Sequence, residues 1–312
     1  MTTLNKNEEF LADIPLPEIA EVFASFGSEE EARVTIIPIG FPAAGKSLFL
    51  SSLLHYAKSS KREKLFNITP EPPKGIFLKG RIAFNEMVEY FHNGQLYGAN
   101  AKGSIDLIGL DIKPNNEKLS KLKIAFLDLA GEDIQNIKVS NNAEFTGKIK
   151  AVLNGLQAND APVIFTLITP FEPAGSTSFG SNSMAHDRED TLHFDFLSFL
   201  EKEEPNILKN SKIFIIVSQW DKNTNPQLKI ENYIQKYRPS IYAFVKNLNV
   251  IWGSYSVGRL LVQQDETGKS YQKLITINED YPENFWKKLY QVCTGDDLDQ
   301  KTFWQKLIGF FK

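Results

Sequence analysis

The chain has 312 residues, of which 42% are hydrophobic and 23% are charged, and its formal net charge is −3. This composition supports an ordinary globular core in one enlarged domain and excludes a nucleic-acid-binding protein that acts through bulk positive charge. The single cysteine, Cys293, excludes an internal disulfide and suits a small buried hydrophobic residue. Neither a signal peptide nor a run of ~18 apolar residues is visible, so we expect a cytoplasmic protein without a transmembrane segment.

The N-terminal third is predicted to contain a lead-in, a strand–loop–helix unit and an insertion. Residues 1–32 are polar apart from one helical stripe that ends near Gly27. The stripe consists of Ile19, Val22, Phe23 and Phe26. A buried strand is predicted over 34–39, and a helix follows from Lys46. The insertion, residues 59–103, comprises a basic linker, a proline-rich segment expected to be an extended loop, and a helix over 78–93.

The remaining elements alternate between strand and helix. Apolar runs predict strands at 105–112, 122–127, 162–168, 212–218 and 250–254, and helices at 143–156, 191–202 and 229–247. The segment 170–187 is rich in Gly, Ser and Pro and is expected to be a mobile surface loop. The first two of these strands should pair antiparallel, because only a short turn joins them. We predict an α/β fold of three layers with a six-stranded, mostly parallel sheet, spanning residues 33–258.

Residues 259–312 are predicted to be an appendage packed on that domain. A hairpin is expected over 260–277, and helices follow it. The last of them places Phe303, Leu307 and two further phenylalanines on one side, a pattern that favours core packing over contact with a membrane or a partner helix.

The most informative motif lies between the first strand and its helix. Residues 40–47 read G-x-x-x-x-G-K-S, in the strand-to-helix context that a phosphate-binding loop requires. Glycine permits the backbone to turn its N–H groups toward phosphate oxygens, and the helix N-terminus adds partial positive charge. Lys46 should reach the β- and γ-phosphates of a nucleoside triphosphate, and Ser47 should ligate Mg²⁺. The residues predicted to contact phosphate are Gly40, Ala43, Ala44, Gly45, Lys46, Ser47 and Leu48.

A second motif follows the strand at 122–127. Asp128-Leu129-Ala130-Gly131-Glu132 lies at the carboxyl end of that strand, where ligands bind in open α/β sheets. An aspartate there holds Mg²⁺ through water, and the Gly131 N–H can approach the γ-phosphate. Asp128 is therefore the second predicted magnesium residue.

Two further motifs indicate guanine. Ser218-Gln219-Trp220-Asp221-Lys222 ends a strand, and the Asp221 carboxylate can accept both guanine N1–H and the exocyclic amine, a donor pair that adenine lacks. After the last strand comes Gly253-Ser254-Tyr255-Ser256, which resembles the S-A-K loop of GTPases; the resemblance implies that backbone N–H groups around Ser254 and Tyr255 address guanine O6. Ser218 and Gln219 are counted with Asp221 as predicted base-binding residues.

The order of these motifs resembles that of P-loop GTPases of the translation-factor-related class, which includes the Ras-like proteins. The Ser218–Lys222 stretch resembles the N/T-K-x-D motif, although Ser218 and Gln219 replace its first two residues, and residues 253–258 resemble the S-A-K loop. The long insertion with a helix ending at Gly94 is similar to bacterial double-GTPase-type proteins. The resemblance implies GTP and GDP as ligands with Mg²⁺, and a regulatory protein that acts on an effector or a partner GTPase.

The resemblance also implies a switch mechanism in which the γ-phosphate and Mg²⁺ hold two loops. Three residues are candidates for the first switch contact, namely Thr69, Asn100 and Ser104. Lys46, Gly131 and Glu132 are the predicted catalytic residues, and Glu132 stands where many GTPases carry a water-positioning glutamine. A carboxylate only accepts hydrogen bonds and repels phosphate, so slow intrinsic hydrolysis is expected.

Two alternatives remain open at this point. One is a scaffold that binds GTP and barely hydrolyses it, and the other is an ATP-using P-loop protein, which Asp221 disfavours. The four histidines show no metal-ligand spacing, and the acidic stretch around His186 and His193 is interpreted as a solvated loop edge.

Overall fold

The computed structural model describes residues 15–40, 44–59, 66–72, 77–97, 105–129, 143–172, 183–264 and 270–298. The helices are α1 (Leu16–Ser25), α2 (Lys46–Lys58), α3 (Phe77–His92), α4 (Ala143–Ala158), α5 (Ser183–Glu203), α6 (Pro205–Asn210), α7 (Ile230–Tyr237), α8 (Pro239–Val245) and α9 (Asp280–Thr294). The strands are β1 (Val34–Ile39), β2 (Phe66–Pro70), β3 (Ile105–Pro114), β4 (Leu122–Leu129), β5 (Val163–Pro170), β6 (Lys212–Ser218), β7 (Val250–Ser254), β8 (Gly258–Gln264) and β9 (Ser270–Ile277).

Within the described residues a seven-stranded sheet has the order β2-β3-β4-β1-β5-β6-β7. Strands β4, β1, β5, β6 and β7 run parallel, and β3 is antiparallel to β4, as the short connection predicted. The three-layer α/β fold expected from the sequence is confirmed. The predicted strand number was wrong by one.

The additional strand is β2, which lies inside the segment that we expected to be an extended loop. Its ladder pairs Phe66 with Pro114 and Pro70 with Leu110 in an antiparallel register. Prolines are tolerated at this position because β2 is at the edge of the sheet and Pro70 is its last residue. The alternation of buried Phe66 and Ile68 with exposed Asn67 and Thr69 is the period-two pattern that the proline content obscured.

The sheet separates two hydrophobic layers. On one face α2, α3 and α9 pack through Phe49, Phe84, Trp286 and their neighbours against even-numbered residues of β3 and β4. On the other face α1, α4, α5, α7 and α8 cover a second cluster that includes Phe23, Val152 and Leu197. The predicted amphipathic stripe near the N-terminus is thus α1, in which Ile19 and Phe23 are buried.

Two helix predictions need correction. Residues 183–187 begin α5 and are not part of a surface loop, whereas 173–182 lie outside the described residues. The helix expected over 229–247 is divided into α7 and α8 at Arg238, whose φ of −139° and ψ of 57° leave the helical region. Pro239 explains this break, because proline disfavours the helical conformation in the residue before it.

The predicted hairpin is formed by β8 and β9; one hydrogen bond joins it to the residues after α3, and another closes its open end. Leu274 N donates to Gly94 O at 2.8 Å, and Asn278 N donates to Val257 O at 3.0 Å. Trp286 of α9 is fully buried and donates to Leu53 O of α2 at 3.2 Å. The final aromatic segment, residues 299–312, lies outside the described residues.

Candidate nucleotide-binding site

The predicted site residues converge at one edge of the sheet. Because β1, β4, β5, β6 and β7 are parallel, their carboxyl ends meet there, and each leads into a predicted motif or into the segment before α5. The structure therefore brings Gly40, Asp128, Ser218 and Ser254 to the same edge from positions far apart in the chain.

The described part of the phosphate loop has the backbone that the motif requires. Gly45 has a φ of +90°, a left-handed conformation that glycine adopts without strain, and it forms the N-cap of α2. A Cβ at Gly40 would lie 2.7 Å from Ile168 O, so a larger residue would displace the loop. Residues 41–43, and with them Ala43, lie outside the described part of the chain.

Lys46 is held against its own loop. Its Nζ donates to Gly40 O at 2.9 Å, and only 8% of the residue is exposed. Burial lowers the pKa of Lys46, and the neighbouring carboxylates of Asp128 and Glu189 oppose that shift. A buried ammonium at a helix N-terminus is a chemical fit for phosphate oxygens.

Asp128 occupies the end of β4 with 2% of its surface exposed. It lies directly opposite Asp106 of β3, a residue that sequence reasoning missed. Burial raises the pKa of Asp106 to about 6, an effect that Lys79 partly opposes. Ser47 and Asp128 are oxygen donors of the kind that Mg²⁺ prefers, and they would hold the ion if it binds with nucleotide. Gly131 and Glu132 lie outside the described residues.

Ser218 joins the predicted base-binding motif to the phosphate loop. Its Oγ donates to Ala44 O at 3.0 Å, and a longer contact of 3.5 Å leads to Thr169 O. The residue is buried at the carboxyl end of β6. Ser218, which stands where the N/T-K-x-D motif has Asn or Thr, therefore provides a hydrogen bond to the phosphate loop.

Asp221 lies in a short turn of 3₁₀ helix, Trp220–Lys222, that follows β6. Its side chain is exposed to solvent, and its Oδ1 accepts a hydrogen bond from Ser256 Oγ at 2.6 Å. Gln219 precedes it with a φ of +57°, and its side-chain oxygen accepts a hydrogen bond from Lys222. The hydroxyl of Ser256 orients the carboxylate, a role that we did not predict.

Tyr255 connects two of the sheet-edge loops. Its N–H donates to Val217 O at 2.9 Å, and its carbonyl accepts from Trp220 N at 3.1 Å. Its side chain is buried against Phe49, with the hydroxyl 2.5 Å from Ser52 Oγ. The predicted base contact through the Tyr255 N–H does not agree with this geometry. Ser256 is the residue of this loop that faces Asp221.

A cavity of about 560 Å³ opens beside Asp221. The residues that line it come from the turn after β6, from the base of the hairpin with the loops on either side of it, and from the start of α9, namely Asp221, Ser256, Gly258, Arg259, Thr276, Ile277, Asn278, Glu279 and Asp280. This volume is within the range of small-ligand sites. The hairpin therefore supplies one wall of the predicted base end of the site.

A buried polar cluster from α5 lies beneath the phosphate loop, where we expected a solvated loop edge. His193 is fully buried, and its Nε2 lies 3.3 Å from Ile39 O. The Asp190 carboxylate accepts hydrogen bonds from Ser240 N and Ile241 N, both at 2.9 Å, at the start of α8. Glu189 is 5% exposed. The interpretation of the stretch around His193 as a solvated loop edge was wrong, because His193 lies on the face of α5 that packs against the sheet.

The register of the sheet removes one switch candidate. Thr69 of β2 pairs with Asp111 of β3, and Asp111 pairs with Lys123 of β4. The next residue of β4, Ile124, pairs with Val34, the first residue of β1. Thr69 is therefore separated from the phosphate loop by the length of β1, roughly 20 Å. The other candidates, Asn100 and Ser104, are outside the described residues.

Three other sequence expectations concern features away from this edge. Cys293 is half-buried, and burial raises the pKa of its thiol to about 12, consistent with a packing role. Among the described side chains no group of three or more His, Cys, Asp or Glu residues is arranged to hold a metal ion. No helix in the described ranges has both the length and the apolarity needed to span a bilayer.

Comparison with known proteins gives one family. The search of curated proteins found no significant match. The model of the Double-GTPase 1 family matches residues 37–287, which include the phosphate loop, Asp128, Asp221 and the hairpin. The match covers most of the chain, and the chain therefore belongs to the Double-GTPase 1 family of P-loop GTPases.

Proposed function

We propose that the protein binds GTP and GDP with Mg²⁺ and hydrolyses GTP as a molecular switch. The observation that carries this proposal is the 3.0 Å hydrogen bond from Ser218 Oγ to Ala44 O. It fixes the loop that would hold the phosphates relative to the turn that carries Asp221. Membership of a GTPase family supports guanine nucleotide as the ligand.

Different residues of the described structure would bind the phosphates, the Mg²⁺ ion and the guanine base. Lys46 and the N-terminus of α2 would hold the β- and γ-phosphates, and Ser47 and Asp128 would hold Mg²⁺. Mg²⁺ bound with the nucleotide would neutralise phosphate charge. Asp221, oriented by Ser256, would accept the two guanine donors, and the cavity beside it offers room for the base.

We further propose that intrinsic hydrolysis is slow. Glu132 cannot donate a hydrogen bond when ionised, and its charge opposes that of the γ-phosphate. A group supplied in trans by a partner can accelerate hydrolysis by roughly 10³–10⁵-fold in GTPases generally. A second GTPase is the partner that the family resemblance supports.

The test is single-turnover GTP hydrolysis by wild type, Lys46→Ala and Glu132→Gln. We expect slow hydrolysis by wild type, none by Lys46→Ala because the phosphate contact is lost, and faster hydrolysis by Glu132→Gln. Tight GTP binding with no hydrolysis by wild type would contradict the switch and favour the scaffold. Equal rates for wild type and Glu132→Gln would remove Glu132 from the mechanism.

A further inference from the structure

One face of α5 packs beneath the start of the phosphate loop. Glu189 and His193 are four residues apart and therefore lie on the same side of the helix. Both are buried, and His193 Nε2 lies 3.3 Å from the carbonyl of Ile39, the residue immediately before Gly40. Glu189 is consequently a buried carboxylate at the phosphate loop, supplied by an element outside the sequence motifs.

The position of this face is fixed by neighbouring contacts. Asp190 accepts hydrogen bonds at 2.9 Å from the first backbone amides of α8. At the junction before α8, the buried Arg238 donates through Nε to Thr169 Oγ1 of β5 at 2.9 Å. These bonds tie α5 to α8 and α8 to the sheet, so the Glu189 backbone has a defined distance from the phosphate loop.

Lys46 is the cation that Glu189 acts on. The Nζ of Lys46 is bonded to Gly40 O, inside the loop that α5 supports. The Glu189 carboxylate lies near enough to the Lys46 ammonium to attract it, as the Asp128 carboxylate also does. Asp128 would be neutralised by Mg²⁺ in the loaded protein, whereas Glu189 would face nucleotide phosphates of its own sign.

We infer that the Glu189 carboxylate competes with nucleotide phosphates for Lys46 and thereby lowers affinity, more for GTP than for GDP. This inference rests on the proposed function. Like charges brought together in a partly buried site repel by an amount that corresponds to about tenfold or more in affinity. GTP carries one more phosphate charge than GDP, so its binding is weakened more.

The experiment is isothermal titration calorimetry, which measures the affinity of the full chain for GDP and for a non-hydrolysable GTP analogue in the presence of Mg²⁺. The variants are Glu189→Gln, which removes the charge at nearly constant shape, and Glu189→Asp, which keeps it. Glu204→Gln is the matched control, because Glu204 is also buried but lies at the far end of α5, at its junction with α6. A melting curve for each variant verifies that it is folded.

We expect Glu189→Gln to bind the GTP analogue about tenfold more tightly and GDP by a smaller factor, with Glu189→Asp and Glu204→Gln within twofold of wild type. Unchanged or weaker binding by folded Glu189→Gln would overturn the inference while wild-type binding upholds the proposed function. An equal gain in Glu204→Gln would also overturn it. Absence of nucleotide binding by wild type would overturn the proposed function itself, and the inference with it.

Discussion

Single residues at the sheet edge decide how the two halves of the site are joined. Ser218 is buried, and its hydroxyl is bonded to Ala44 O, so its side chain acts on the phosphate loop from the base-binding turn. Spacing in the sequence predicted Ser218 as a base-binding residue. It gave no indication of the bond partner, which lies 174 residues away.

Ser218→Ala should therefore weaken both the fold and the site. Loss of the hydroxyl leaves Ala44 O without this donor, at a cost of about 1–3 kcal/mol in the free energy of unfolding. We expect nucleotide affinity to fall about tenfold, as measured by titration, because the loop is less restrained.

The control for this prediction is Ser211→Ala. Ser211 Oγ also donates to a backbone carbonyl, Leu208 O at 2.9 Å, but at the opposite end of β6. It should leave nucleotide affinity unchanged. Equal affinities for Ser218→Ala and Ser211→Ala would contradict the role given to Ser218.

A second residue-scale prediction concerns His193, which burial keeps neutral. Its pKa is lowered to about 4 in the folded protein from the ordinary 6.5. The unfolded chain thus takes up a proton at a higher pH than the folded one, so this contribution to stability is complete above pH 6.5 and declines as the pH falls toward 4. Between pH 7 and 5 the loss should be about 2 kcal/mol.

Urea unfolding of wild type and His193→Gln at pH 7 and pH 5 measures this effect. Glutamine is neutral throughout, so wild type should lose about 2 kcal/mol more than the variant over this interval. Parallel losses in the two proteins would show that His193 is not the titrating group.

At the scale of elements, the sequence predicted long apolar segments well and failed at prolines and polar helix starts. Strand β2 was missed because its prolines obscure the alternation of a short edge strand. Helices α7 and α8 were predicted as one helix because the amphipathic pattern continues across Pro239, where the backbone breaks. Helix α5 was started too late, because its first turn is polar. Its buried face packs against the sheet, through Leu192, Phe196 and Leu197, and against the start of the phosphate loop, through His193.

The connection between α3 and the hairpin gives an element-scale prediction. Gly94 follows α3 with a φ of +72°, and a Cβ there would lie 2.6 Å from Leu274 O. Gly295 follows α9 with a similar φ of +77°, and a Cβ there meets no atom within 4 Å. Gly295→Ala should lose about 1 kcal/mol of stability from backbone strain alone.

Gly94→Ala should lose more than Gly295→Ala, because it adds a clash that displaces β9 from α3. Chemical denaturation measures the difference, and hydrogen exchange should accelerate at the Leu274 amide, which donates to Gly94 O. Equal stability losses with unchanged exchange at Leu274 would contradict the proposed attachment of the hairpin.

At the scale of the whole molecule, the parallel sheet explains why the predicted motifs lie close together. The carboxyl ends of its parallel strands collect Gly40, Asp128, Ser218 and Ser254 at one edge, so sequence order and strand topology together imply the grouping. Asp106 and Glu189 were missed because each reaches this edge only through pairing or packing with another element, whereas Ser256 stands in the last predicted motif and only its bond to Asp221 was missed. A charged residue within an apolar strand, as at Asp106, is the one signal that the sequence offered.

The most direct test of the account is equilibrium binding of GTP, GDP and ATP to wild type and to Asp221→Ala with Mg²⁺. Wild type should prefer both guanine nucleotides to ATP by at least a hundredfold, since the exposed Asp221 carboxylate, oriented by Ser256, accepts donors that adenine lacks. Asp221→Ala should lose this preference while Lys46 still contributes phosphate binding. ATP binding as tight as GTP binding, and unaffected by the substitution, would contradict the assignment of guanine nucleotide to this site.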